Sequence, residues 1–404
     1  MKYDVPEKLR KLGEIFSSHS YSLYLVGGAV RDYLLERKND DYDLTTSALP
    51  GEVKAMFRRT IDTGIKHGTV TVIYQGGQYE ITTFRTEGDY TDSRHPDSVR
   101  FVRSLEEDLK RRDFTINALA VDLLTGDIID MHDGIGDIRR GVIRAIGEPE
   151  ERLREDALRM MRACRFSSKL GFDIEEKTLE AIKDEHENIR KVSVERIKEE
   201  LDKLLLSPYP VKGLEYMEKT GLLSAVLPEL ALTKEILSAL KRAGEASLPL
   251  SSLYAVLFST ISADEVCRVL TRLRSSNREK DEVTHIVRSL GYDEKKSSPG
   301  LVRLFIHENG KEILPSLFSV RRLLKPFTED DEKFVDAVKC EIEKKSPTEI
   351  RDLAVTGEDL SSVVQKGPEM GRMLKYLLEK VIEDPECNTK EKLLALAAEA
   401  NLCS

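Results

Sequence analysis

Strand-forming patterns are confined to the first third of this 404-residue chain, and no other feature of the sequence constrains its fold as strongly. The segment YSLYLVGG (21–28) predicts a strand, and TVTVIYQGGQYEITTFR (69–85) predicts a β-hairpin. INALAVDLLTGDIID (116–130) predicts a second pair of strands. From about residue 150 onward, apolar residues recur at helical spacing. We therefore expect an α+β head followed by a long all-α body.

The length and composition indicate a multidomain protein of the cytoplasm. The chain is longer than a single core usually supports, so roughly two to four domains are expected. Charged residues make up 33% and hydrophobic residues 40%, and five scattered cysteines show no CxxC spacing. Such cysteines are typical of reduced thiols and give no zinc site. No segment approaches the roughly 18 consecutive apolar residues of a membrane span, and the N-terminus does not look like a signal peptide.

One segment has a charge opposite to that of the whole chain. The net charge is −9, yet residues 139–169 contain nine Lys or Arg against five Asp or Glu. An arginine-rich stripe of this kind is suited to meet phosphates. A solvated helix face with internal ion pairs explains the charges equally well.

Two aspartates in LERKNDDYDLTTS (35–47) are candidates for metal binding. Asp41 and Asp43 are two residues apart, so in a strand their carboxylates point to the same face. Such a pair can hold two Mg²⁺ ions, which take one or two protein carboxylates together with substrate phosphates. Glu80, on the far strand of the predicted hairpin, is the best third carboxylate. The spacing alone is common in solvated acidic pairs, so the surrounding motifs must decide.

A glycine pair stands just before the aspartates. Gly27 and Gly28 lie where a predicted strand becomes a helix, which leaves backbone N–H groups available to a triphosphate. Arg31, in the first helical turn, could reach the same phosphates. Taken alone, a tight turn that needs glycine for its backbone freedom is the better explanation of the pair.

Three further segments resemble a known family. RRDFTINALAVD (111–122), DGIGDIRRGVIRAIGEPEERLREDALRMMRACRFSSKLGF (133–172) and SVERIKEELDKLLLS (193–207) follow one another in the chain. They resemble, in their usual order, the motifs of class II tRNA nucleotidyltransferases (CCA-adding enzymes) and bacterial poly(A) polymerases. The resemblance covers the first half nearly without gaps and continues more weakly to LAVTGEDL (353–360).

The resemblance implies a seahorse-shaped fold with four parts. A polymerase-beta-like nucleotidyltransferase head with a small mixed sheet would occupy residues 1–140. A helical neck that selects the base would follow at 141–207. A helical body (208–330) and a helical tail (331–404) would bind tRNA.

The resemblance also implies roles for single residues. Asp41 and Asp43 would bind metal and act in catalysis with Glu80, and Gly28, Arg31 and Arg112 would contact the nucleotide. The base would be selected through EDALRMMRACR, at Asp156, Arg159, Arg162 and Arg165.

Selection between bases follows from hydrogen-bond chemistry. On one face of an ideal helix Asp156 accepts and Arg159 donates, which fits the amino group and ring nitrogen of cytosine or adenine. Uracil and guanine would place an acceptor against Asp156, which is costly to bury. Arg165 would lie about 180° around the same helix from Asp156. We therefore expect Arg162 and Arg165 to orient the pair, to meet phosphates or to contact RNA.

The predicted reaction is attack of an RNA 3′-hydroxyl on the α-phosphate of CTP or ATP, with Mg²⁺ as cofactor and tRNA as acceptor. Within the family, CC-only enzymes are shortened between the Glu80 strand and RRDFT. Here that stretch (86–108) is full length, which disfavours CC-only addition. Poly(A) polymerases tend to carry a basic extension after the helical domain, whereas this sequence ends in LLALAAEANLCS, so we expect a tRNA substrate. We expect no separate phosphohydrolase domain. RRLLK (321–325) and VERIKEEL (194–201) are candidate RNA contacts, with a solvated helix face as the plainer alternative.

Several alternatives stay open. Within the family, addition of A only and poly(A) synthesis compete with full CCA addition. A catalytically silent paralogue that binds tRNA is the non-enzymatic alternative, and the intact Asp41/Asp43 pair argues against it. A nucleotidyltransferase acting on a small molecule is disfavoured by the long helical half. The sequence does not determine the oligomeric state, with a homodimer as one alternative.

Overall fold

The computed structural model describes residues 2–39, 41–87, 99–244, 248–295, 297–365 and 367–402. The chain divides into two units, Met1–Ala231 and Leu232–Ser404. Residues 88–98, within the stretch 86–108 whose length disfavours CC-only addition, lie outside the described residues. Within the described residues no helix is long and apolar enough to cross a lipid bilayer.

All strands among the described residues belong to the first unit. They are β1 (Leu23–Val26), β2 (Asp43–Thr46), β3 (Thr60–Gly64), β4 (Thr69–Tyr74), β5 (Gly77–Thr83), β6 (Arg85–Glu87), β7 (Val99–Phe101), β8 (Leu119–Asp122), β9 (Ile128–Asp130), β10 (Val142–Ile143) and β11 (Asp173–Ile174). Seven of them form one sheet in the order β3-β4-β5-β2-β1-β8-β9. β2 and β5 run parallel while the neighbouring pairs run antiparallel, so the predicted small mixed sheet is confirmed.

Both predicted strand pairs are present, and glycine makes their turns. β4 and β5 form the antiparallel hairpin, whose turn places Gln75 at φ 47° and Gly76 at φ 77°. β8 and β9 form the second pair, with Gly126 at φ 76°. Positive φ is a left-handed conformation that glycine adopts without steric cost. Buried residues of the alternating strands, such as Val70 and Ile81, supply the sheet's side of the core.

Helices make up the rest of the first unit. They are α1 (Glu7–Ser18), α2 (Gly28–Leu34), α3 (Pro50–Met56), α4 (Leu105–Lys110), α5 (Gly134–Arg140), α6 (Pro149–Glu155), α7 (Leu158–Leu170), α8 (Glu176–Glu185), α9 (Val194–Leu205), α10 (Pro210–Thr220) and α11 (Leu222–Val226). α7 is almost entirely buried and ends at Gly171, whose φ of 76° stops the helix.

The arginine-rich helix is shorter than the sequence suggested. α6 ends at Glu155, and Asp156 is extended, with φ −140° and ψ 103°. Its side chain accepts a hydrogen bond from the Leu158 N–H at 3.1 Å, so it stabilises the start of α7 from outside the helix. The prediction that Asp156 and Arg159 share one helix face is therefore wrong. The 180° separation inferred for Arg165 fails for the same reason, because Asp156 is not on that helix.

The second unit is entirely helical in its described part. Its α-helices are α12 (Lys234–Ala243), α13 (Leu250–Leu257), α14 (Ala263–Arg272), α15 (Asn277–Ser289), α16 (Pro299–Asn309), α17 (Leu314–Leu324), α18 (Glu329–Glu343), α19 (Pro368–Glu383) and α20 (Lys390–Leu402). The head of mixed structure and the helical remainder thus agree with the predicted α+β class.

One candidate RNA contact is instead a structural residue. Arg321, the first residue of RRLLK, is 4% exposed and forms an ion pair with Asp331 at 3.0 Å. It also donates to the carbonyl oxygens of Leu290 and Tyr292 at 2.9 Å each. Its guanidinium lies 3.8 Å from the centre of the Tyr292 ring. Arg321 is therefore neither an RNA contact nor part of a solvated face, whereas the exposed Arg322 remains available.

Replacement of Arg321 by Met should destabilise the protein by roughly 3 kcal/mol, because it removes the closer ion-pair partner of the buried Asp331 and leaves only Lys325, 4.0 Å away. Arg322→Met is the matched control. Arg322 pairs with Glu332 at an exposed site, where such pairs contribute less than about 1 kcal/mol. Urea denaturation of the full chain measures both variants. Equal midpoints for the two would contradict the structural role.

Candidate active site

A cavity of about 570 Å³ lies between the head sheet and α7. Nine of the ten residues predicted from the sequence line it: Gly28, Arg31, Asp41, Asp43, Arg112, Asp156, Arg159, Arg162 and Arg165. Glu80 is not one of the lining residues. The cavity therefore brings together the acidic pair of the head and the arginines of the helical segment, although they are over 100 positions apart in the chain.

Two carboxylates, Asp41 and Asp43, line the acidic end of the cavity, and the charge of Glu80 acts on Asp43 from outside the lining. Asp41 precedes β2, so the expectation that both aspartates lie in one strand is wrong. Asp43 opens β2 and pairs in parallel register with Glu80 on β5, so the two side chains point to the same face of the sheet. Asp43 is exposed on the side of the cavity and buried among protein atoms on its other sides. This burial raises the pKa of Asp43, and the negative charges of Asp41 and Glu80 raise it further, against the lowering effect of Arg112.

These carboxylates fit a divalent cation that is shared with a ligand. Carboxylate oxygens are the donors that hard cations prefer, and a cation would relieve the repulsion that raises the pKa of Asp43. Among the described residues, no group of three or more His, Cys, Asp or Glu side chains could hold a metal ion. The remaining ligands of an ion at this edge would therefore come from the substrate, as phosphate oxygens and water do for Mg²⁺.

Gly27 allows two charged side chains to approach the backbone at the β1–α2 junction. Its φ of 72° and ψ of −133° are conformations that other residues rarely adopt. A Cβ built there would lie 3.4 Å from a guanidinium nitrogen of Arg112 and 3.7 Å from a carboxylate oxygen of Asp43. The Gly27 N–H donates to the Leu119 carbonyl oxygen at 3.3 Å. That amide is therefore paired, contrary to the expectation of two free amides.

Arg31 is fixed in the cavity wall by two neighbours. It is 2% exposed, and its Nε and Nη2 donate to Oδ1 of Asp32 at 2.8 and 2.7 Å. Its Nη1 donates to Oδ1 of Asn117 at 2.6 Å. Asn117 also lines the cavity, and sequence reasoning missed it, although it lies within the RRDFTIN motif. Arg31 thus presents its charge to the cavity in one fixed orientation.

A single buried phenylalanine organises three of the arginines. The guanidinium carbons of Arg165, Arg31 and Arg162 lie 4.0, 5.3 and 5.4 Å from the centre of the Phe166 ring. Phe166 is 5% exposed and packs edge-on against Phe114, with 5.8 Å between ring centres. The ring face attracts cations, so it offsets part of the repulsion among them. Sequence reasoning missed this residue because it has the pattern of an ordinary apolar position of a helix.

Arg162 and Arg165 also form ion pairs with carboxylates. Asp113 accepts from Nε and Nη2 of Arg162 at 2.8 and 2.6 Å. Burial raises the pKa of Asp113, but Arg162 and Asn117 outweigh it and lower the pKa to about 2. Asp113 therefore stays ionised at neutral pH. Glu200 of α9 accepts from Nε of Arg165 at 2.5 Å.

The predicted base-selecting pair is held by residues of other segments. Asp156 accepts from Nη2 of Arg196 at 2.7 Å through one oxygen, and from the Leu158 N–H through the other. Arg159 donates to Glu155 at 2.6 Å and to the Arg111 carbonyl oxygen at 3.1 Å. Arg196, on α9, was not predicted as a nucleotide ligand. Its only sequence signal was its position in VERIKEEL, which had been considered as an RNA contact.

The charges of the cavity suit a polyanion. Its lining contains eight cations, Arg31, Arg111, Arg112, Arg159, Arg162, Arg165, Arg196 and Lys203, against four aspartates, Asp41, Asp43, Asp113 and Asp156. Within the part of the chain that the structure describes, Nε of Arg112 and Nη1 of Arg196 are buried without a hydrogen-bond partner. Buried donors of this kind are costly unless an acceptor reaches them. The site is therefore prepared for a ligand rich in acceptors, such as a triphosphate.

Phe166→Leu tests the role of the ring. The change keeps an apolar side chain but removes the attraction for three guanidinium groups, each worth about 0.5–1 kcal/mol or more. Binding of CTP, the predicted nucleotide, should weaken roughly tenfold in isothermal titration calorimetry. Phe258→Leu is the control, because this buried ring stacks on Tyr254 in the second unit. Unchanged CTP affinity in Phe166→Leu would show that the ring serves packing alone.

Comparison with known proteins agrees with this site. A family model of the poly A polymerase head domain matches residues 23–144, and an RNA- and SrmB-binding site of polymerase A matches 171–233. A tRNA nucleotidyltransferase domain 2 matches 251–397. The head that contains the carboxylates and the helical segment that contains Arg196 are thus matched by separate models. Residues 145–170, which include Arg159, Arg162 and Arg165, lie between the two matched ranges.

Individual relatives cover nearly the whole chain. It is 40% identical to the CCA-adding enzyme of Lactobacillus helveticus over 94% of this chain and 93% of the relative. It is 40% identical to that of Enterococcus faecalis over 97% and 96%. The crystal structure of Bacillus stearothermophilus CCA-adding enzyme in complex with CTP superposes with a TM-score of 0.83, at 35% identity and 98% coverage of both chains. The chain belongs to the family of CCA-adding enzymes, the class II tRNA nucleotidyltransferases.

Proposed function

We propose that this protein adds CCA to the 3′ end of tRNA, using CTP and ATP and no nucleic-acid template. The single observation that carries the proposal is the shared cavity of Asp41 and Asp43 with Asp156 and Arg159, in a chain so similar to CCA-adding enzymes. The relative crystallised with CTP supports the choice of nucleotide. We also propose that residues 1–140 catalyse, 141–207 select the base, and 208–330 and 331–404 bind tRNA.

Arg31 and Arg112 are the proposed phosphate ligands. Both line the cavity on the side of the two aspartates, and Arg112 approaches the backbone at Gly27. Arg31 has its other donors fixed by Asp32 and Asn117, so little side-chain entropy would be lost on binding. The orphaned Nε of Arg112 would gain an acceptor from the phosphates.

Asp156 and Arg159 are the proposed ligands of the base. A carboxylate has about four lone-pair sites, so Asp156 can accept from an exocyclic amino group while it keeps Leu158 and Arg196. Arg159 would donate to the adjacent ring nitrogen of cytosine or adenine. Uracil and guanine present an oxygen to Asp156 and a protonated nitrogen to Arg159, and both contacts are repulsive. Asp156 and Arg159 would therefore select the base without a nucleic-acid template.

The reaction we infer is an in-line displacement at phosphorus. The RNA 3′-oxygen forms a bond to the α-phosphorus, the bond from that phosphorus to the bridging oxygen breaks, and pyrophosphate leaves. The hydroxyl proton passes to a carboxylate or to water. Arg31 and Arg112 hold the leaving phosphates, so catalysis rests mainly on positioning and charge neutralisation. A metal ion bound at Asp41 and Asp43 would neutralise charge on the attacking and leaving oxygens.

We propose Mg²⁺ as that ion, because the available donors are two carboxylates and the nucleotide's phosphates. Glu80 would act at longer range through its charge on Asp43. The cytoplasm is the proposed location, supported by the free state of Cys164, Cys267, Cys340 and Cys387.

Asp43→Asn tests the metal site without measuring activity. The pKa of Asp43 is raised, so the folded protein holds this proton more tightly than the unfolded chain does. Ionised Asp43 therefore lowers the free energy of unfolding. This loss of stability is fully present at neutral pH and disappears as the pH falls below the usual aspartate pKa range. In EDTA at neutral pH, the variant should unfold at a slightly higher temperature than the wild type.

Added Mg²⁺ should reverse that order. It should raise the unfolding temperature of the wild type, in which the carboxylates gain a counter-ion, and leave Asp43→Asn nearly unchanged. Asp62→Asn, a change at an exposed aspartate that pairs with Lys54, is the control. An equal Mg²⁺ response in all three proteins would place the ion elsewhere.

Sequencing of RNA 3′ ends tests the function itself. Purified protein with Mg²⁺ is incubated with a tRNA lacking CCA and with one ending in CC, each with CTP, ATP, both, or UTP plus GTP. Both tRNAs should finish as CCA and stop. Addition of a single A to the CC-ended tRNA alone would indicate the A-adding activity, and long A tails would indicate a poly(A) polymerase.

The double variant Asp41→Ala/Asp43→Ala separates catalysis from RNA binding. It should abolish incorporation while tRNA affinity in filter binding changes less than about threefold, because the proposed RNA contacts lie elsewhere. Residual incorporation near the wild-type rate would remove these aspartates from the mechanism. Absence of incorporation by the wild type under every condition would favour the silent tRNA-binding paralogue.

A further inference from the structure

A cluster of basic side chains and one tyrosine surrounds the C-terminal end of α7, beyond the nucleotide cavity. Arg37 donates through Nη1 to the Lys169 carbonyl oxygen at 3.3 Å. Lys212 donates through Nζ to the Gly171 carbonyl oxygen at 2.7 Å. The Tyr209 N–H donates to the Ser168 carbonyl oxygen at 3.0 Å. We call Arg37, Lys169, Tyr209 and Lys212 the α7-end patch.

Tyr209 is held rigidly but remains half exposed. It lies between Pro208 and Pro210, and proline fixes the backbone on both sides. Its ring packs against Gly171, where an added Cβ would lie 3.2 Å from the nearest ring carbon. Even so, 50% of the residue is exposed to solvent. An aromatic ring fixed in this way would lose little entropy on stacking against a ligand.

The patch is continuous with the catalytic cavity. Arg159, Arg162 and Arg165 line the cavity, and Lys169 follows them one turn later along α7. Nζ of Lys169 lies 3.7 Å from Oδ2 of Asp32, whose Oδ1 holds Arg31. A positively charged path therefore runs from the proposed phosphate site to the surface.

We propose that the α7-end patch binds the single-stranded 3′ end of the RNA acceptor, with a base stacked on Tyr209 and backbone phosphates at Arg37, Lys169 and Lys212. The proposal rests on the function proposed above, and it adds a contact site in the first unit. Unpaired RNA ends are recognised by aromatic stacking together with basic side chains along the backbone.

Charge favours RNA as the occupant. The net charge of the chain is −9, whereas the three basic side chains beside the catalytic cavity are positively charged. The acidic neighbours are already engaged: Asp173 pairs with Lys212 at 2.8 Å and is 72% exposed, and Asp32 is shared by Arg31 and Lys169. Because Asp173 is largely open to solvent, its ion pair with Lys212 contributes little, and a phosphate can replace the carboxylate at small cost.

The test compares three variants in fluorescence-anisotropy binding to a CC-ended tRNA, together with steady-state kinetics of A addition. Tyr209→Ala should weaken RNA binding, and raise KM for RNA, about tenfold. Tyr209→Phe, which keeps the ring, should bind as the wild type does. Leu206→Ala is the matched control, since Leu206 is 56% exposed three residues away but has no ring. KM for ATP should stay unchanged in all three.

A second measurement keeps the proposal testable should Tyr209→Ala be unstable. Arg37 is exposed, and Arg37→Gln should reduce the slope of log affinity against log salt by roughly 0.7–0.9, the value for one phosphate contact. An unchanged slope in Arg37→Gln would overturn the role of the basic side chains. Wild-type RNA affinity in a folded Tyr209→Ala variant would overturn the stacking role.

The outcomes separate this proposal from the function on which it rests. Normal CCA addition with unchanged RNA binding in Tyr209→Ala overturns the patch and leaves the function intact. If the wild type binds RNA but incorporates no nucleotide, and Tyr209→Ala loses the RNA binding, the patch is supported and the proposed function is overturned. Equal effects of Leu206→Ala and Tyr209→Ala, with altered mass in light scattering, would mean that the surface binds a second copy of the chain, which overturns the RNA assignment.

Discussion

The active site depends on the close packing of several positively charged arginine side chains. Arg31, Arg162 and Arg165 all lie within 5.4 Å of the centre of the Phe166 ring. Such a cluster is stable only because each guanidinium group has its own carboxylate or amide partner and shares one ring face. Guanidinium groups bound in this manner keep their positions without a ligand, so the cavity is organised before a nucleotide arrives.

The same interactions connect the two parts of the site. Asp113 precedes the strand β8 of the head, and it holds Arg162 of α7. Asn117, from the same segment, holds Arg31 and also donates to Asp113 at 3.1 Å. The head segment 113–117 and α7 are thus linked by buried hydrogen bonds, which hold Arg31 and Arg162 in fixed positions relative to each other.

Periodicity predicted the regular elements well and their ends poorly. The hairpin around Gly76 and the pair around Gly126 were confirmed, because turn chemistry and alternation are local properties of the sequence. Asp156 was placed inside a helix because its neighbours have strong helix propensity. The structure instead uses Asp156 as an extended link that binds Arg196, an interaction between residues 40 positions apart.

The sequence by itself determined the chemical groups: two aspartates separated by one residue, glycines at a strand–helix junction, and an arginine-rich segment whose motif order resembles one family. Tertiary structure decided which of them meet. The structure adds Asn117, Phe166 and Arg196 to the residues that line the cavity. It also shows that Arg321, a candidate RNA contact, forms a buried ion pair instead. The physical reason is the separation along the chain of the residues that interact. Spacing patterns describe neighbours within a few residues, whereas these contacts join residues up to 135 positions apart, as Arg31 and Phe166 are, and exist only after the core has packed.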